Sequence, residues 1–187
     1  MTDRMVAEEA IRTLLLYLEG STDREGLRDT PARVIESWKE IFAGYGEDIG
    51  ALLGTTFDAE AHMDLVLLRN IEFHSTCEHH LQPFSGHADV AYLPNGRIVG
   101  ISKLARLVDA HAKRLQNQER ITSGIVEDLM AHLEPEGAAV IVRARHGCMR
   151  CRGVMKQEAE MVTTAYRGVF SPNGPRHGEF LSLVDRR

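Results

Sequence analysis

The chain has 187 residues, 43% of them hydrophobic, enough for one substantial core with a small extension. A net charge of −5 and a pI near 6.0 speak against a general nucleic-acid or membrane-surface binder. Three cysteines, an odd number, do not suggest a disulfide framework, and the apolar run Leu14-Leu15-Leu16-Tyr17-Leu18 is far too short to cross a bilayer. Met1-Thr2-Asp3-Arg4 leads into an acidic amphipathic stretch without an apolar signal core, so the expected location is cytoplasmic.

The first third reads as helical. Ala7, Ile11, Leu14, Leu15 and Leu18 recur at helical spacing, and Gly20 ends the run. Thr30-Pro31 reads as an N-cap with Pro at the first helical position, and Val34, Ile35, Trp38, Ile41 and Phe42 then line one face. Residues 45–62 read as loop-rich. This opening third holds no catalytic constellation, and its apolar stripes are core or interface.

The remainder alternates strands and helices. Met63 to Phe73 contains the strand-like run Leu65-Val66-Leu67-Leu68. Gly86 to Leu93 alternates as a strand, Pro94-Asn95-Gly96 reads as a hairpin turn, and Arg97 to Ile101 returns. Ser102 can cap a helix through Leu104, Leu107, Val108 and His111. A second helix runs through Ile121, Ile125, Leu129 and Leu133. Ala138 to Ala144 and Met161 to Phe170 read as strands, and Gly178 to Val184 as a short helix or strand. Strands flanking a consecutive helix pair predict an α+β fold with an antiparallel sheet.

The chemistry concentrates in Cys77-Glu78-His79-His80 and His146-Gly147-Cys148. Cys77 and His80 are spaced to aim a sulfur and an imidazole nitrogen at one ion, and Cys148 can add a second sulfur. Three such ligands with an open fourth position describe a catalytic zinc site. Cys148-Met149-Arg150-Cys151 is also C-x-x-C, which leaves two other readings open: a closed Cys₃His knot, or a redox pair. His79 and His146 flank the ligands as acid/base groups. Polar residues also gather at the helix-pair junction. Ser102, Lys103 and Arg106 suit phosphate, and so does Arg152 farther on. Gln116, Gln118 and Glu119 offer partners for a purine edge, although a solvated helix face accounts for any one of them.

Together these segments resemble the GTP cyclohydrolase I family. The resemblance rests on Ser75-Thr76-Cys77-Glu78-His79-His80-Leu81, Val99 to Arg106, Gln118-Glu119-Arg120-Ile121-Thr122, His146 to Met149 and Arg152-Gly153-Val154, with Thr30-Pro31-Ala32-Arg33-Val34 upstream. It covers nearly the whole chain in order. It implies a tunnelling fold, an antiparallel sheet backed by two long helices, as a catalytic domain over 63–187 behind a helical extension over 1–62. It implies a homodecamer with active sites where subunits meet, and no nucleic-acid or membrane partner. Zinc would be held by Cys77, His80 and Cys148, and water activated there would add to C8 of GTP. His146 would protonate the ring nitrogen, and His79 would assist the ribose steps that lead to 7,8-dihydroneopterin triphosphate. Gln118 and Glu119 would hold guanine, and Ser102, Lys103, Arg106 and Arg152 the triphosphate, some of them from a neighbouring subunit. Asn117, Ser85, His87, the run Gln157 to Met161 and Cys151 depart from the family's usual pattern. Two alternatives are another purine-processing enzyme on the same fold and a non-catalytic oligomer stapled by zinc.

Overall fold

The structure is a computed structural model that describes residues 3–60, 62 and 64–185. The chain divides into two compact units, Met1–Ala43 and Gly44–Arg187. This division falls earlier than the expected extension over 1–62.

The first unit holds α1 (Arg4–Glu19), α2 (Glu25–Arg28) and α3 (Thr30–Ile41). The Asp3 carboxylate accepts from the Met5 amide at 3.0 Å and starts α1. Gly20, at φ 74°, ends it with a left-handed cap that a side chain would strain. No residue of α1 is buried, and Leu14, Tyr17 and Leu18 stay exposed, so its apolar stripe is not core in the single chain. In α3, Asp29 is the cap residue and Thr30 is already helical, one position earlier than the sequence suggests.

A 3-10 turn at Ala43–Gly46 spans the division, and the second unit continues with α4 (Ile49–Gly54) and β1 (Thr56–Asp58). These occupy the stretch expected to be loop-rich. There follow β2 (Val66–Cys77), β3 (Pro83–Leu93), β4 (Arg97–Val99), α5 (Ile101–Ala112), β5 (Leu115–Gln116), α6 (Gln118–His132), β6 (Gly137–His146), α7 (Gly147–Arg150), β7 (Met161–Gly168) and α8 (His177–Asp185). Met63, the expected start of the first long strand, lies outside the described residues. Gly178 to Val184 resolves as helix, in α8.

The main sheet runs β5-β2-β3-β6-β7 and is antiparallel throughout, apart from the two-residue parallel pairing of β5 with β2. The expected hairpin at Pro94-Asn95-Gly96 does not form. After Gly96, β4 leaves the main sheet and pairs with β1, while β3 lies between β2 and β6. Local turn chemistry cannot choose between partners that are distant in sequence. The expected cap also shifts: Gly100 precedes α5, and Ser102 is its second helical residue.

Both faces of the sheet are covered, which the period-2 alternation of the strands permits. Phe84, Ala88, Val90 and Tyr92 of β3 and Ala138, Val140, Val142 and Ala144 of β6 pack with α5 and α6, around Leu104, Leu107, Ile121, Ile125 and Leu129. Each such fully buried Leu or Ile contributes roughly 1.5–3 kcal/mol. On the opposite face Ala91, Leu93, Ala139 and Ile141 pack with Phe170, Phe180 and Val184.

One irregularity sets up the site. The β2–β3 register shifts between Leu68 and Ile71. Val66 and Leu68 lie on the helix side, and strict alternation would continue with 70, 72, 74 and 76. The bulge turns Ile71, Phe73, Ser75 and Cys77 inward instead. Asn70 takes φ 55°, and its amide donates to the buried Asp89 carboxylate at 2.9 Å. Arg143 donates to the other oxygen of Asp89 at 2.6 Å.

Candidate metal and active site

Cys77 closes β2, and the chain folds back on it at once. The Cys77 amide donates to the Gln82 carbonyl at 2.9 Å, and the Leu81 amide donates to the Cys77 carbonyl at 2.9 Å. Leu81 takes φ 53° to complete the turn. His80 is thereby brought back over Cys77, with Nδ1 3.8 Å from Sγ. The β3–β6 pairing sets Phe84 opposite His146, so that α7 delivers Cys148 to the same end of the sheet. Gly147 allows this approach, because a Cβ there would meet the Pro83 carbonyl oxygen at 2.6 Å.

The Cys77, His80 and Cys148 ligand atoms all lie within 4.8 Å of one another. Tetrahedral zinc, with Zn–S of about 2.3 Å and Zn–N of about 2.0 Å, separates its ligand atoms by roughly 3.5–3.8 Å. The cluster fits such an ion with little movement. Burial and the adjacent Cys77 sulfur push the Cys148 thiol up, a cost that a bound cation reverses by favouring the thiolate. Cys151 stands outside the cluster: its Sγ donates to the Gly147 carbonyl at 3.0 Å and meets Gln82 Oε1 at 3.5 Å. A fourth ligand is thus lacking among the described residues, and the geometry favours the open set over the closed knot.

His146 ends β6 on the helix side. Its ring stacks on Phe84, with centroids 4.4 Å apart and planes at 7°. Burial lowers its proton affinity, against the opposing charge of Glu119 in the first turn of α6. The neighbouring Gln118 side chain is fully buried and meets His146 Nε2 with Oε1 at 2.9 Å. Its amide nitrogen is directed to Val142 O, Met161 O and Thr163 Oγ1, so the side chain expected to hold guanine has protein partners throughout.

His79 stands outward, 3.8 Å from the Glu78 carboxylate. Glu78 is held in turn by both terminal nitrogens of Arg120, at 2.8 and 3.1 Å, and by Asn117 Nδ2 at 3.2 Å. The Arg120 hydrogen bonds keep the Glu78 carboxyl below its ordinary range despite some burial. Asn117 also caps α6 by accepting from the Arg120 amide at 2.8 Å. Glu78, Asn117 and Arg120 thus tie the ligand-bearing turn to α6. The sequence signal was there, since Glu78 and Arg120 lie inside the quoted motifs and Asn117 was a departure, but the pairing spans about forty residues of chain.

The remaining polar residues separate into two places. Arg152 is exposed just past α7, close enough for its charge to favour the Cys148 thiolate. Ser102, Lys103 and Arg106 lie in the first turns of α5, with Ser102 and Arg106 exposed. That end of α5 belongs to the far end of the sheet. The Val99 amide, just before α5, donates to the Tyr92 hydroxyl at 3.1 Å. Tyr92 lies eight residues along β3 from Phe84, a rise of roughly 26 Å. Within one chain Ser102, Lys103 and Arg106 are not brought to the Cys77–His146 site.

An α+β sheet protein with a three-ligand sulfur and imidazole cluster beside a held histidine belongs among candidate metalloenzymes. More narrowly, the chain belongs to the GTP cyclohydrolase I family, whose model matches residues 7–185. It is 47% identical over 185 residues to GTP cyclohydrolase 1 of Wolinella succinogenes, covering 98% of this chain and 99% of that one. It is 46% identical to GTP cyclohydrolase 1 of Allorhizobium ampelinum, covering 98% and 92%. Among solved structures, the archaeosine synthase QueF-Like in the apo form overlaps 56% of this chain and 93% of that one, at 22% identity and a TM-score of 0.47. Among the described residues no helix is long and apolar enough to cross a membrane.

Proposed function

We propose that this chain is a zinc-dependent GTP cyclohydrolase I, which converts GTP and water to formate and 7,8-dihydroneopterin 3'-triphosphate. The observation that carries this reading is the convergence of Cys77, His80 and Cys148 within 4.8 Å, beside His146, in a chain 47% identical along its length to a GTP cyclohydrolase 1. Cys77, His80 and Cys148 would hold the zinc, whose Lewis acidity lowers the pKa of water at the open position.

The chain's own residues do the rest. His146 gives and takes the proton at the imidazole nitrogen of guanine as C8 is hydrated and the ring opens. His79, exposed beyond the ligand turn, assists the later ribose steps. Glu119 accepts from the guanine N1–H and exocyclic amine. Arg152 binds the triphosphate from this side of the site.

Ser102, Lys103 and Arg106 bind the triphosphate from a neighbouring subunit, because their own chain holds them at the far end of β3. This requires an oligomer, and the decamer is the form the resemblance implies. Incubation with GTP, oxidation and fluorescence detection of neopterin tests the activity, and metal analysis tests the zinc. Mixing tests the shared site: Arg106→Ala and His146→Ala proteins, each impaired alone when assayed at low GTP, should regain a fraction of wild-type turnover once dissociated and reassembled together. Absence of recovery in verified mixed oligomers argues for a site made by one chain. A protein that takes up zinc and yields no neopterin points to the stapled-oligomer alternative.

A further inference from the structure

The hydrogen bonds around Gln118 can be given directions, and those directions fix the proton on His146. Gln118 Nε2 sits 3.0 Å from the Val142 carbonyl, 3.0 Å from the Met161 carbonyl and 3.1 Å from Thr163 Oγ1. A backbone carbonyl only accepts. With the amide turned over, its oxygen would face two carbonyl oxygens at hydrogen-bond distance inside a fully buried pocket, a loss of two bonds with no compensation. The hydroxyls point the same way. Thr122 Oγ1 donates to the Gln118 carbonyl at 2.7 Å, so the 2.6 Å contact between Thr122 and Thr163 uses the Thr163 proton. Thr163 Oγ1 is then left to accept from Gln118. The amide therefore has one orientation, with Oε1 toward His146 Nε2 at 2.9 Å. An amide oxygen only accepts, so Nε2 carries the hydrogen.

We propose that Gln118 is a positioning residue that locks His146 in the Nε2–H form and leaves Nδ1 as the ring nitrogen that exchanges protons with the substrate. The proposal rests on the reading of His146 as the proton-transfer residue. Ring orientation is fixed twice: the hydrogen bond sets which nitrogen faces α6, and the face-to-face stack on Phe84 sets the plane. A histidine free to change tautomer offers an acceptor at Nδ1 only part of the time, and the second-layer amide removes that loss. Gln118 thereby passes from guanine recognition to the support of the catalytic ring.

Neutron diffraction from zinc-loaded wild-type crystals grown in heavy water reads the proton directly. A deuteron is expected on His146 Nε2, directed at Gln118 Oε1, whether or not Nδ1 also carries one. An Nε2 without a deuteron overturns the proposal. The second measurement is a kcat against KM split in Gln118→Leu, which removes the acceptor at similar size. The expected result is kcat lower by about tenfold or more, with KM for GTP changed by less than about twofold. A raised KM with unchanged kcat assigns Gln118 to guanine and sinks the idea. If Gln118→Leu does not fold, the neutron result on wild type still decides. Full turnover in His146→Ala would instead remove the role of His146 itself and leave the deuteron where it is.

Discussion

The two ends of the main sheet are built on opposite terms. At the Cys77–His146 end, side chains from β2, β6, α6 and α7 converge, and several polar groups already have protein partners: His146 on Gln118, Glu78 on Arg120 and Asn117, Cys77 against His80. At the start of α5, Ser102 and Arg106 are exposed and no ion pair is formed by Lys103 or Arg106 among the described residues. Groups that must hold a reacting centre to within a fraction of an ångström are fixed before the ligand arrives, whereas groups that grip a flexible, highly charged tail can be ordered by the tail itself.

The sharpest way to break this contrast is to remove a ligand. Cys77→Ser, His80→Ala or Cys148→Ser should each lose zinc and, with it, neopterin formation by several orders of magnitude, because the ion's charge stabilisation goes entirely. Full zinc content with normal activity in any of the three would refute the assignment. Next in size is proton transfer. His146→Ala and His79→Ala should retain zinc and GTP binding yet turn over about 10²–10⁴-fold more slowly. Blocked formate release in His146→Ala, against a formylated intermediate that builds up in His79→Ala, would order the two residues along the reaction.

Smaller effects separate recognition of the base from that of the phosphates. Glu119→Ala should weaken GTP binding by roughly 1–3 kcal/mol, since guanine donors lose their acceptor. Arg106→Ala and Arg152→Ala should weaken GTP binding and leave guanosine binding nearly unchanged. Equal losses for guanosine and GTP would rule out the phosphate role. At the bottom of the scale, Cys151→Ala should keep zinc and most turnover, as its thiol meets Gly147 and Gln82 rather than the Cys77–His80–Cys148 cluster. Zinc loss in that variant would restore the closed knot.

One further measurement concerns the scaffold between the two ends. His111 of α5 lies 2.7 Å from Asp128 of α6, and burial lowers its proton affinity more than Asp128 raises it. His111 is therefore more readily protonated in the unfolded chain. Its contribution to stability is present above the ordinary histidine pKa of about 6.5 and is lost as pH falls from there through its lowered folded value. Unfolding free energy should fall below about pH 6.5, less steeply in His111→Phe than in wild type; identical slopes would show that His111 plays no part.

What the sequence determined by itself was chemistry and local periodicity. Cys77, His80 and Cys148 were legible as candidate metal ligands because few residue types bind such a cation, although spacing alone left the role of Cys151 open; the packed chain brings the three together and leaves Cys151 outside. The two long helices were legible because Leu104, Leu107 and Val108, and then Ile121, Ile125 and Leu129, repeat at the helical period. The tertiary structure decided partnership. A turn signal at Asn95-Gly96 states where the chain bends, not that β4 will pair with β1. Alternation along β2 was broken by a bulge that depends on Asp89, nineteen positions away, and the bulge is what turns Cys77 toward the helices. Gln118 reads in the sequence as a purine-binding amide, and only the fold shows that β6 and β7 present carbonyl oxygens to its side-chain nitrogen. A hydrogen-bond donor carries no mark of its acceptor in its own side chain; only the packed chain supplies that acceptor, and so only the packed chain fixes the donor's role.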